Sequence, residues 1–190
     1  LVCFAYGVAS TVGLMMCHVF GVRDQRAYPF AVDLGVAMQI TNIARDILED
    51  AERDRLYVPS TLLDAPVSCE GLTRGDADQR ANAYQGAMRM LDIADEYYAS
   101  AALGYGYLPP SVRQAIKVAA RLYQAIGEKV SRNETAYWQR RTVVSTERKC
   151  LLIAELFVQR MRDGSSTLKV GKYQHAEHLH LALDQRRFTA

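Results

Sequence analysis

Gln39, Asn42, Asp46 and Asp50 fall three or four residues apart in the stretch from Leu34 to Pro59, LGVAMQITNIARDILEDAERDRLYVP. On a helix that spacing stacks them on one face, and Asn42, Asp46 and Asp50 become a ladder of oxygen atoms about one turn apart. The residues around them are mostly apolar, so the segment is expected to be buried. A buried carboxylate pair with no basic residue on its own stripe is costly unless a cation sits between the two. Hard cations, Mg²⁺ or Mn²⁺, take such ligands, typically one or two carboxylates plus the phosphates of a substrate. The alternative is a solvated acidic face. Arg45, Arg53 and Arg55 crowd the end of the same stretch, followed by Tyr57. Guanidinium groups beside carboxylates suit a polyanion held jointly by metal and arginine. Local Arg–Asp pairing at a helix end is the other reading.

The elements that would position these groups read as helices nearly throughout. One covers roughly residues 1–20, and GVRDQ breaks it. A second is expected from about Tyr28 to Glu52, then a loop, with Pro59 starting a short turn. Pro66 to Gly75 reads as loop. Asp76 to Ala102 reads as a long helix with Ala83, Ala87, Met90 and Leu91 on one side. The glycines and prolines of LGYGYLPP stop it. Pro110 or Ser111 opens another to about Val130, and Ser145 resembles the N-cap of a last helix to about Met161. No strand-period alternation stands out, so the class is all-α.

Val8, Ala9, Val12, Gly13 and Met16 recur at helical spacing and share a broad face. Ala9 and Gly13 leave a shallow groove, and Met38 is expected to close its opposite side. Such a face can floor an apolar tunnel, or its small residues can let two helices pack closely.

The 190 residues suffice for one sizeable core. A net charge of +2 implies no nucleic-acid partner. Cys3, Cys17, Cys69 and Cys150 show no ligand spacing and read as small buried hydrophobes in a reducing compartment. Leu1 to Val22 contains no Asp, Glu, Lys or Arg and could span a bilayer by length. A buried helix facing an apolar cavity explains it better.

Two motifs make the reading specific. Gly35 to Asp50 reads G-x-x-x-Q-x-x-N-I-x-R-D-x-x-E-D, which resembles the second aspartate-rich signature of the squalene/phytoene synthase family. Phe4 to Gly13, FAYGVASTVG, is similar to a second family signature at Tyr6, Val8, Ala9, Val12 and Gly13; it departs at Phe4, Ala5 and Ser10. AARLYQAIGEKV, Ala119 to Val130, resembles a late family helix with its Tyr-x-x-Ile, and QRRTVVSTERK after it looks familial too. The resemblance covers roughly residues 1–160. MMCHVFGVRD and YYASAALGYGYLPPSVRQAI read most like the bacterial phytoene-forming branch.

The resemblance implies an isoprenoid-synthase-like helical bundle around a central apolar cavity, spanning 1–165, with 166–190 as a C-terminal tail. It implies an Mg²⁺- or Mn²⁺-dependent prenyltransferase joining two geranylgeranyl diphosphates head to head, through a cyclopropylcarbinyl diphosphate, to phytoene. The alternative is squalene, dehydrosqualene or presqualene diphosphate made from farnesyl diphosphate. Asp46, Asp50, Arg45 and Tyr123 then take catalytic roles, with Asn42, Asp46 and Asp50 on the metal. Val8, Ala9, Val12, Gly13, Met38, Gln39, Asn42, Arg53, Arg55, Tyr57, Arg140 and Arg141 take substrate. The family's first acidic motif belongs upstream of Phe4, so the chain is expected to be a fragment carrying half the metal site, inactive alone. A cytoplasmic location, with peripheral membrane contact left open, completes the picture.

Other signals are weaker. Tyr123 can equally cap a core helix, and Arg140 and Arg141 can equally be solvated. Asp92, Asp95 and Glu96 read as a helix surface. His18 reads as a satisfied core residue. His175, His178 and His180, with Glu177, resemble a metal cluster but lie outside the resemblance.

Overall fold

The computed structural model describes residues 1–163 and 174–183. Among them every regular element is helical, as expected. The chain opens with α1 (Val2–Ala5), a π-helical turn (Tyr6–Ser10) and α2 (Thr11–Val19), which run on without leaving the right-handed helical region. Gly21, at φ 70°, ends this rod, with Val22 N–H donating to Cys17 O. Asp24 then caps a 3₁₀ turn (Gln25–Ala27) that leads into α3 (Tyr28–Arg45).

The structure divides the expected Tyr28–Glu52 helix in two. Asp46 sits at φ −104°, ψ 16°, and α4 (Ile47–Ala51) follows. Asp46 N–H still donates to Asn42 O at 3.0 Å and Asp50 N–H to Asp46 O at 2.8 Å, so the one-turn spacing of the ladder survives the break.

Two short helices lie where the sequence suggested loop or gave no signal. In α5 (Cys69–Arg74), Ser68 Oγ accepts from Gly71 N–H and Gly75 closes the end at φ 84°. In α8 (Glu134–Gln139), Asn133 Oδ1 accepts from Ala136 N–H. The three long helices fall close to expectation: α6 (Ala77–Leu103), capped by Asp76; α7 (Pro110–Val130); and α9 (Thr146–Asp163).

The core forms where α3 lies along α6, with the N-terminal rod and α7 flanking. Val32, Val36, Ala37, Ile40, Ile43 and Ala44 of α3 face Ala83, Ala87, Met90, Leu91 and Ala94 of α6, all buried in one cluster. The rod and α3 meet backbone to backbone. A Cβ on Gly35 would come within 2.6 Å of Ser10 Cα, and one on Gly13 within 2.8 Å of Ala31 O. Ser10 Oγ fixes the crossing by donating to Val32 O at 2.8 Å.

Three expectations need correction. The N-terminal rod is not a buried helix. It is long and apolar enough to cross a membrane, yet only 17% of Val2–Val19 is buried, since α3 covers one side of it. Of the cysteines only Cys17 is buried; Cys3 and Cys150 are exposed. His18 is an exposed residue whose Nδ1 lies 3.0 Å from Leu14 O on its own helix. The surface reading of Asp92, Asp95 and Glu96 agrees with their exposure. The boundary at 165–166 lies outside the described residues. Within 174–183, Leu179 and Leu183 are buried in the main core cluster.

Candidate functional site

An apolar cavity of about 450 Å³ opens between the N-terminal rod, α3, the end of α6 and α7. Val8, Ala9, Val12, Gly13, Met38, Gln39, Asn42 and Tyr123 all line it. The helical periods that group these residues in sequence thus converge in space from three elements. Val8 and Val12 remain 49% and 48% exposed, so that wall of the cavity faces solvent. Gly13 serves two purposes here, because its missing side chain also admits the Ala31 carbonyl. Burial pushes the neighbouring Tyr105 hydroxyl up to about 12, which keeps it protonated beside the cavity.

Asn42 marks the polar end of that cavity, and Asp46 follows one turn on. Arg45 grips Asp46 with Nε at 2.7 Å from Oδ1 and Nη2 at 2.5 Å from Oδ2. Arg141, from the segment after α8, makes a second fork at 3.0 and 3.1 Å to the same two oxygens. Burial works against the Asp46 charge, but hydrogen bonds from Arg45 and Arg141 outweigh it and hold the carboxyl below its usual range. Asp50 differs. Burial, then the negative charge of Asp46, raises its pKa. Glu49 Oε2 is buried without a hydrogen bond, although Arg141 Nε lies 3.2 Å away.

A donor set of one amide and two carboxylates, with burial and the Asp46 charge acting against Asp50, suits a hard divalent cation. Asn42, Asp46 and Asp50 are the residues that could hold one, with both Asp46 oxygens taken by arginine in its absence.

The remaining candidates divide. Arg53 pairs with Glu49 at 3.0 Å across one helical turn. It lines a polar groove of about 370 Å³ together with Arg45, Arg140 and Arg141. Arg55 is exposed in the turn after α4, where Asp54 takes φ 55°. Tyr57 stacks on Phe4 with ring centroids 5.0 Å apart. The sequence reading missed Tyr137, whose buried hydroxyl donates to Ala44 O at 2.8 Å and ties α8 to the end of α3. It also missed Glu49 as part of the cluster, although the Glu belongs to the motif itself.

This arrangement is an all-helical scaffold whose apolar cavity leads to an aspartate-rich helix. The family model for squalene/phytoene synthase matches residues 1–148, and the chain belongs to that family. It is 42% identical over 153 residues to the 15-cis-phytoene synthase of Enterobacter agglomerans, covering 79% of this chain and 50% of that protein. It is 42% identical over 151 residues to the phytoene synthase of Pseudescherichia vulneris, covering 79% and 48%. The 15-cis-phytoene synthase of Pantoea ananas matches at 38% over 166 residues, covering 84% and 52%. The chain thus spans about half the length of the curated relatives it matches.

Proposed function

We propose that this chain carries the second acidic wall and part of the prenyl tunnel of a phytoene synthase. The reaction is the head-to-head joining of two geranylgeranyl diphosphates. The first diphosphate leaves with the C1–O bonding electrons. The allylic cation is captured by the double bond of the second molecule, and loss of a proton closes a cyclopropylcarbinyl diphosphate. Departure of the second diphosphate, rearrangement and a second proton loss give phytoene.

The observation that carries this reading is the juncture at Asn42. One turn of α3 separates an apolar cavity from a carboxylate ringed by arginines. Bound Mg²⁺ would neutralise charge on the departing diphosphate oxygens. Asn42, Asp46 and Asp50 would hold it. Arg141, half-exposed and paired to Asp46 through a fork, is placed to exchange that carboxylate for a diphosphate oxygen. Arg45, 13% exposed and packed on Asp46, holds the carboxylate's orientation instead. Arg53, Arg55 and Arg140 add positive charge at the rim. Val8, Ala9, Val12 and Met38 offer the chain an inert wall that cannot quench a cation, and Tyr123 offers a hydroxyl from the α7 side. A cytoplasmic enzyme taking so apolar a substrate fits peripheral contact with a membrane, toward which the exposed Met15 and Val19 could turn.

The test is product analysis of the complete gene product with geranylgeranyl and farnesyl diphosphates, with and without Mg²⁺. Phytoene from the twenty-carbon substrate, only with metal, supports the reading. A thirty-carbon product alone shifts it to the squalene-type branch.

A further inference from the structure

Asp33 is the only acidic residue of α3, and it is completely buried. Ser100 Oγ donates to its Oδ2 at 2.6 Å. His175 Nε2 lies 2.8 Å from Oδ2, and His180 Nε2 lies 2.7 Å from Oδ1. Among the described residues no Lys or Arg pairs with it. Its two oxygens are thus met by three side chains from α6 and the C-terminal segment.

We propose that Asp33, His175 and His180 form a binding site for a divalent transition-metal ion of the Zn²⁺ class, which staples the C-terminal segment to α3. The two imidazole nitrogens and the carboxylate oxygen all lie within 4.8 Å of one another. Two imidazoles and one carboxylate are a three-ligand set that borderline metals take, with a fourth position left for water. Four residues separate the histidines, inside the His-x₃₋₅-His spacing of zinc sites. Ser100 supplies the outer hydrogen bond that orients a ligating carboxylate. The buried Phe30 packs edge-on against the His175 ring at 5.5 Å, an apolar neighbour to the cluster.

Ligand atoms in a tetrahedral zinc shell stand about 3.3 Å apart, so the rings need to retreat by roughly 0.5 Å from their present hydrogen-bond distances. His178 and Glu177, named with the other histidines in sequence, are exposed and take no part. The site lies about 20 Å along the chain axis from Asp46, counted at 1.5 Å per residue, and its nitrogen ligands set it apart from the oxygen ladder. The proposal therefore stands independently of the diphosphate site.

The experiment is titration of the purified full chain with Co²⁺, read by visible absorption, with Zn²⁺ as competitor and far-UV circular dichroism as the fold control. The expected result is one Co²⁺ per chain, displaced by Zn²⁺ and unchanged in Asp46→Asn. His175→Ala and His180→Ala each weaken it by at least about a hundredfold. His180→Cys, which keeps a ligand, gains a near-ultraviolet sulfur-to-cobalt band. No saturable binding in the wild-type chain, or binding unaltered in both alanine variants, overturns the site and leaves a hydrogen-bonded clasp. Absence of the sulfur band in a folded, Co²⁺-binding His180→Cys variant removes His180 from the ligand set.

Discussion

Asp46 and Asp50 are chemically identical, yet their surroundings drive them apart. Asp46 is held ionised by Arg45 and Arg141, whereas burial and the charge of Asp46 leave Asp50 reluctant to ionise. The depressed Asp46 pKa contributes stability that is fully present above its unfolded value and is lost as pH falls through the folded value. Urea unfolding followed from pH 6 down through the carboxylate range, about pH 4 and below, is expected to show this loss, and Asp46→Asn is expected to remove it. Asp50 has the opposite sign. Its penalty is absent below its unfolded pKa and complete above its raised folded value. Asp50→Asn is therefore expected to raise the unfolding midpoint at pH 7 while weakening Mg²⁺-dependent diphosphate binding, measured by calorimetry. A variant that loses stability along with binding would assign Asp50 a structural role. The ladder and Arg45 were legible in sequence because they share one helical repeat. Arg141 as the second fork on Asp46 was not, because 95 residues separate the pair.

At the level of elements, the long helices could be read from their boundaries. Asp76 caps α6 and Pro110 opens α7, and each signal precedes many turns of apolar periodicity. The six-residue helices α5 and α8 carry one side-chain N-cap each and too few residues for a period, so Ser68 and Asn133 passed unread. The break at Asp46 was hidden for another reason. Its i→i−4 hydrogen bonds persist, and residue types alone favour a continuous helix. The small residues of the first helix could mean a tunnel floor or a close crossing. The structure shows the crossing directly at Gly13, where an added Cβ meets a backbone oxygen. Gly13→Leu is therefore expected to cost about 1–3 kcal/mol by overpacking. Gly35→Ala is expected to cost a similar amount, since its Cβ meets the Ser10 backbone, which cannot rotate away. Urea unfolding of both variants checks this. A Gly13→Leu protein of wild-type stability with altered chain-length preference would return the position to the tunnel alone.

The whole molecule joins an apolar volume to a charged end through one interrupted helix, and anchors that helix on both sides. Tyr137 holds its C-terminal end through Ala44 O. Segment 174–183 packs by its N-terminal half, where Tyr97 OH donates to Leu179 O at 2.5 Å and the two histidines reach Asp33. Asp33 was not singled out in the sequence, which placed its partners in a tail. No local pattern joins residues 142 and 147 positions apart. Leu183, 4% exposed, belongs to the same core, so Leu183→Ala is expected to cost about 2–5 kcal/mol in urea unfolding. A cost near zero would mean that the segment docks without contributing to the fold.

In the proposed function the Asn42–Asp46–Asp50 ladder would hold the metal that meets a diphosphate at the mouth of the apolar cavity. The direct measurement is turnover of geranylgeranyl diphosphate by the complete gene product and its Asp46→Asn variant across an Mg²⁺ titration, with helix content monitored alongside. The expected result is a fall in turnover of about a hundredfold or more at every Mg²⁺ concentration with unchanged helix content. Near-wild-type turnover in a folded Asp46→Asn variant would contradict the account.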